Sequence, residues 1–355
     1  MARSRLGLET RAITEGALMA ALTVLLALAG ILIPLLDPVI MLIWALPVVV
    51  VCMRHGMRAA VATITVAGLV ITMIASPLTA MDMLLRSAGP ALLIGHGFRC
   101  KWKSEKTVFC AAVAASVGLV ANFGLSILIT GINIRDIFTL DAAFVDEMVS
   151  MWVESGLLSS AQTTPEAFAE QFTAVFTLFM YILPATLLVY GVFTAYTNFM
   201  MANVVLRRLK IPLPPVTRLA TFRLPVGFLF GVMLGLGLIV LGEAFWAGVP
   251  LIVTVGQNII LVFLALYFFQ GVGFISYYIG RAPANFRPMI LGMLLLSVFL
   301  TFFRVIPMIC YVGVADGILD FRKLDALPLE EDDGEAAYIE QHEDDNEDLE
   351  GGSGR

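Results

Sequence analysis

In the stretch TAMDMLLRSAGP, Asp82 and Arg86 stand four residues apart in a run that is otherwise apolar or small. That spacing puts a carboxylate and a guanidinium on one helical face, where they can neutralise each other. Charged side chains at hydrocarbon depth are costly unless paired or turned to a watery cavity, so the pair marks a polar interior position. Asn122 brings an amide into a later apolar run, and Asp82, Arg86 and Asn122 form the candidate substrate-binding set. A second set, Asn258, Gln270, Arg304 and Asp316, with Asn198 and Gln257 beside it in type, reads as interhelical polar contacts. Gln270 sits in the middle of LVFLALYFFQGVGFISYY, where an unpaired amide would cost several kcal/mol. Gly271 and Gly273 leave the backbone open there. A helix approaching it can satisfy the amide, from the final span or from the basic loop at 204–223. Each amide also has a plain structural reading, an interhelical hydrogen bond of about 0.5–2 kcal/mol.

The elements that must position these residues follow from composition. Hydrophobic residues make up 59% of the 355 and charged ones 14%, with a mean hydropathy of +0.90. Apolar runs of about 20 residues recur along the chain, too many for a water-soluble fold to cover. The fold class expected is all-α: a polytopic integral membrane helical bundle of about 8–9 transmembrane segments. The first run is too long for a signal-peptide core, and no small-residue cleavage site follows it; it is expected to remain as a span. The net charge of −6 averages two unlike parts. Residues 325–355 hold 13 acidic residues and one arginine, so the remainder carries 15 acidic and 21 basic residues. The tail from 324 to 355 is expected to be solvated and disordered.

Basic clusters mark one face of the membrane. They are Arg3, Arg5 and Arg11; Arg54 and Arg58; RCKWKSEK at 99–106; Arg207, Arg208, Lys210, Arg218 and Arg223; and Arg281 with Arg287. The connections between them carry Asp37, Asp82, an acidic segment at 131–170 and Glu243, with Arg135 as their one basic residue. The positive-inside rule therefore places the N-terminus in the cytoplasm. Spans are expected at about 12–33, 39–53, 59–76, 82–98, 107–130, 172–203, 224–242, 250–276 and 289–310. Pro47 and Pro90 interrupt the second and fourth. Nine complete crossings put Arg322, Lys323 and the tail outside, whereas a break at Pro307 would turn the chain back inside.

These spans group into a six-span bundle at 1–203, a basic Pro-rich cytoplasmic elbow at 204–223, a three-span region at 224–323 and the acidic tail. Within the outer segment 131–170, Phe144, Met148, Met151 and Trp152 fall near helical spacing, predicting an amphipathic helix that packs on the surface or covers a site. On the first span, Ala12, Gly16 and Ala20 make a flat helix-packing stripe, suited either to a neighbour in the same chain or to a separate membrane subunit. Gly231 and Gly235 carry the same ambiguity. No phosphate loop, G-x-S-x-G elbow or H-E-x-x-H motif occurs, and His55, His96 and His342 are scattered, so no enzyme, metal site or cofactor is expected. Cys52, Cys100, Cys110 and Cys310 include no C-x-x-C pair and read as small hydrophobes.

Five motifs in order, TRAITEGALMAAL, PVVVVCMRHGMRAA, RRLKIPLPP, FFQGVGF and GVADGILDFRK, resemble the YybS-like family of uncharacterised bacterial membrane proteins over most of residues 10–323. The N-terminal half in turn resembles the substrate-binding S components of energy-coupling-factor vitamin transporters. The shared features are the Ala12, Gly16, Ala20 stripe, the short second span and the long outer loop before the sixth. That resemblance implies a small-molecule ligand bound among the first six spans and a membrane coupling subunit that meets the first helix. The sequence departs from it in having three further spans and no vitamin-binding motif. Two functions follow: a transporter-like binding component using Asp82, Arg86 and Asn122, or a non-transporting membrane scaffold or assembly factor whose polar residues lock helices together. The partners expected are the lipid bilayer, another membrane protein and a small ligand, with no nucleic acid.

Overall fold

The computed structural model describes residues 2–33, 40–41, 43–131, 141–155, 164–213, 219–245, 250–300 and 302–323. Asp37, Arg135, Ser159, Pro214, Pro215, Arg218 and the acidic tail lie outside them. Among the described residues the secondary structure is helical throughout: α1 (Ala2–Leu32), α2 (Leu46–His55), α3 (Met57–Ile74), α4 (Pro77–Arg99), α5 (Ser104–Thr130), α6 (Ala142–Glu154), α7 (Pro165–Arg208), α8 (Phe228–Phe245), α9 (Pro250–Arg281), α10 (Arg287–Leu300) and α11 (Phe302–Leu319), with a 3-10 turn at Leu219–Thr221. The all-α expectation holds. Among the described residues six helices, in α1, α3, α5, α7, α8 and α9, are long and apolar enough to cross a membrane. Their outward faces carry exposed Ile13, Leu25, Met73, Phe109, Leu128, Phe230 and Phe245, as surfaces solvated by lipid do.

Helix ends follow local chemistry. Ser76 caps α4, its hydroxyl accepting from Thr79 N at 3.1 Å with Pro77 in the first turn. Asp141 caps α6 and Thr164 caps α7, which also begins with a proline. Gly131 ends α5 in the left-handed conformation, φ 66°. The 10-residue α2 rises only about 15 Å, half a hydrocarbon core, while the 44-residue α7 rises about 66 Å.

The chain divides into two compact units, Met1–Pro212 with Gly235–Val262, and Leu213–Leu234 with Phe263–Arg355. The segment 235–262 belongs with the first unit and 213–223 with the second. The first unit is assembled through small residues, as helices in lipid require. A methyl added at Gly95 would meet Cys52 Cβ at 2.6 Å, and at Gly118 or Gly191 it would strike the backbone oxygen of Leu85 or Ala112. Gly16 and Ala20 are buried against α3, where Thr63 Oγ1 lies within 3.5 Å of Gly16 O, while Ala12 is half-buried. Ala17 and Ala21 remain exposed. The α6 helix lays Trp152 and Phe144 against Phe168 and Phe172 of α7, at ring centroid distances of 4.9 and 6.3 Å.

In the second unit α9 and α11 run in the same direction. Gln270 meets Asp316, Phe274 meets Phe321, and the Tyr277 hydroxyl donates to Arg322 O at 3.1 Å, so contacts advance together along both helices. Gly271 and Gly313 mark the closest approach, next to the backbone oxygens of Ile309 and Tyr267. Arg287, at the start of α10, donates to Ala282 O at 2.9 Å and to Gly280 O at 2.6 Å. The last apolar segment thus leaves from the Arg281 end of α9 and returns beside Tyr277. The span expected at 289–310 falls within this segment, whose two ends lie beside the same end of α9. Pro307 lies inside α11, which accommodates it.

Candidate functional site

Asp82 and Arg86 lie one turn apart on α4, and Arg86 Nη2 donates to Asp82 Oδ2 at 2.5 Å. Asn122, on α5, donates from Nδ2 to Asp82 Oδ1 at 2.6 Å. The fold therefore brings the three residues together, because α4 and α5 pack tightly along seams such as Gly89 on Ala114 and Gly118 on Leu85. Both carboxylate oxygens are engaged. Arg86 is not: its Nε is buried with no hydrogen-bond partner. The side chains of Arg86 and Asp82 keep 21% and 34% of their exposure, so the group is half-buried. Chemically it is a charge-neutral node with a donor to spare.

A second node lies in the second unit. Gln270 Nε2 donates to Asp316 Oδ2 at 3.1 Å, and its Oε1 accepts from Leu224 N at 3.0 Å. Gln270 thus joins both α11 and the segment after the 3-10 turn. Arg322 completes the node. It donates from Nε and Nη2 to Asp316 Oδ2 at 3.0 and 2.7 Å, from Nη1 to Ala220 O at 2.8 Å and from Nη2 to Phe222 O at 2.9 Å. Arg322 and Asp316 are 0% and 2% exposed, which makes them a sealed, fully coordinated ion pair. Arg322 is the residue that the sequence reading missed as a site residue, although it ends the last span's region and lies in a quoted motif. Its signal was an aspartate and an arginine six positions apart within GVADGILDFRK, across a helix end that hydropathy does not register.

Asn258, on the α9 part of the first unit, accepts from Ala185 N at 2.9 Å and donates to Tyr181 O and Thr254 O at 2.8 Å each. Its partner helix α7 carries Pro184, which lacks the N–H that would continue the ladder. Arg304 is exposed and has no polar partner among the described residues, so it joins neither node.

At the basic end of α1, Glu15 accepts from Arg11 Nε and His55 Nε2 at 2.9 Å each and from Arg54 Nη1 at 3.2 Å. These residues belong to two of the motifs quoted above, and sequence reading had used the arginines only as topology signals. Among the described residues, the buried side-chain atoms without a partner, besides Arg86 Nε, are Trp44 Nε1, Asn198 Oδ1 and Gln257 Oε1. Among the described residues no three His, Cys, Asp or Glu side chains are placed to hold a metal ion.

The chain is 24% identical over 275 residues to the uncharacterized protein YybS of Bacillus subtilis (strain 168), an alignment covering 76% of this chain and 85% of that protein. No solved structure matches it. The family model described as predicted membrane protein (DUF2232) matches residues 21–316, most of the chain, with the first polar node and Gln270 and Asp316 of the second, and the chain belongs to that family.

Proposed function

We propose that the chain is a non-enzymatic, transporter-like binding component of a bacterial cytoplasmic membrane, with a small-molecule site built on Asp82, Arg86 and Asn122. The contrast between the two nodes carries this reading. Arg322 is sealed and its node is fully coordinated, as a structural lock should be; Arg86 is half-buried and keeps an idle donor, as a site awaiting a ligand should. In this reading the N-terminus is cytoplasmic. The six long apolar helices, α4 and the second span expected at about 39–53, which runs into α2, make eight crossings, and the returning pair α10 and α11 supplies the ninth membrane segment. A separate membrane coupling subunit, by analogy with energy-coupling-factor S components, would meet the face of α1 that carries Ala17, Ala21, Leu18 and Leu25, because Gly16 and Ala20 are already covered by α3.

The test is a native mass spectrum of the protein purified gently in lipid. A small molecule retained by the wild type and lost in Asn122→Leu is expected. Retained partner proteins with no small molecule would instead support the scaffold reading, which the complete pairing of Gln270, Asp316 and Arg322 favours for the second unit.

A further inference from the structure

Trp44, just ahead of α2, is 3% exposed, and its indole N–H finds no acceptor. The same crevice of the first unit is lined by Trp44 and Arg86, with Ile40, Met41, Met83 and Ser87 completing its walls. It is therefore lined by two residues, 42 positions apart in sequence, whose buried N–H donors lack acceptors. Burying a donor unpaired is unfavourable, and placing two beside one crevice is an arrangement that an incoming acceptor relieves.

We propose that this crevice is a ligand subsite, resting on the binding function above, and that its ligand is an uncharged molecule presenting a carbonyl-type acceptor on a mainly apolar frame. The charge follows from the neighbouring pair. Asp82 already neutralises Arg86, so an anionic ligand would leave a net negative charge among apolar walls, while a neutral acceptor leaves none. The polarity follows from Asp82 too: both its oxygens are engaged, so what the site offers is donors. The frame follows from the walls. Ile40, Met41, Met83 and the Trp44 ring contact apolar surface, and the two unbranched methionines can swing to widen a crevice whose enclosed part holds about one water-sized molecule.

The experiment uses the full chain in lipid nanodiscs with three probes on one ring: cyclopentanone, cyclopentane and cyclopentanecarboxylate. Cyclopentanone is expected to raise Tm saturably, while the other two give only the shallow, unsaturating change of partition into lipid. In a form whose sole tryptophan is Trp44, the ketone is expected to change the indole emission over the same range. Trp44→Phe keeps a ring and removes the N–H, and it should raise the half-saturating ketone concentration by about five-fold. The subsite is overturned if no probe saturates, as when a trapped water alone fills the crevice, if the carboxylate saturates in place of the ketone, or if Trp44→Phe leaves the half-saturation unchanged. Ligand retention lost in Asn122→Leu together with a silent Trp44 would leave the proposed function standing without this subsite. Ketone saturation at Trp44 in a protein that retains no molecule would do the reverse.

Discussion

Asn258 stands between Tyr181 and Ala185, with its amide nitrogen 2.8 Å from the carbonyl of the first and its amide oxygen 2.9 Å from the N–H of the second. In an unbroken helix those two backbone groups bond to each other. Pro184, between them, removes the N–H that would serve Met180 O, and the carboxamide of a different helix takes over the adjacent rung. An asparagine suits this because it offers a donor and an acceptor on one planar group. Asn258→Leu should cost about 1–2 kcal/mol in reversible unfolding from mixed micelles. Asn258→Asp should cost more, since a carboxylate repels Tyr181 O. Equal stability of the leucine and aspartate forms would rule out the two-sided bond.

The sealed node predicts a different ranking. Arg322→Met leaves Asp316 charged and enclosed and should cost about 3–5 kcal/mol, while Asp316→Leu with Arg322→Met should recover much of the loss. Gln270→Leu, which inserts normally into the bilayer, should cost about 1–2 kcal/mol by freeing Leu224 N and one Asp316 bond. Thermal unfolding of the four proteins side by side checks the order. A double variant worse than Arg322→Met alone would contradict it.

At Asp82 and Arg86 the partial exposure softens the same logic. Arg86→Ala and Asp82→Ala should each be less stable than the double variant, with losses smaller than at Arg322. Asn122→Leu should lose about 1 kcal/mol and, more tellingly, ligand retention. Expression level and Tm measure the first pair, and the native mass spectrum measures the second. Equal stability of both single variants and the double would mean that solvent screens the pair.

The returning segment fixes where the chain goes after α11. A cysteine at Lys323 should be labelled by a membrane-impermeant maleimide from the same side as one at Ala282, and from the side opposite to one at Ser155. Labelling of Lys323→Cys together with Ser155→Cys would restore a ninth complete crossing.

The class of fold was legible because lipid leaves a coarse mark, runs of about 20 apolar residues whose flanking charges alternate. So was the meeting of Asp82 with Arg86, which needs only the i, i+4 geometry of one helix. Asn122 was legible as a polar residue, but its register against Asp82 depends on how α5 seats on α4, which is decided by Gly118 meeting Leu85. The returning pair was not legible. Hydropathy averages over 289–310 and cannot tell one straight helix from two that turn, whereas the deciding contacts, Arg287 to Gly280 and Tyr277 to Arg322, lie at helix ends. Trp44 escaped for the opposite reason: a tryptophan in an apolar run looks like ordinary core until its N–H is found without an acceptor.

The glycine seams have a consequence for how such a chain can vary. At Gly118, Gly191, Gly271 and Gly313 one added methyl would run into backbone of the facing helix, which has no rotamer to yield. Leu25, Phe109 or Phe230, exposed on outward faces, can exchange for any apolar residue with little effect on how the helices meet. The usual order of mutational sensitivity is therefore inverted, the smallest side chains being the least replaceable. A lineage under this constraint can turn over most of its bulky residues and keep its shape, so an overall identity of 24% between two members understates how much architecture they can share.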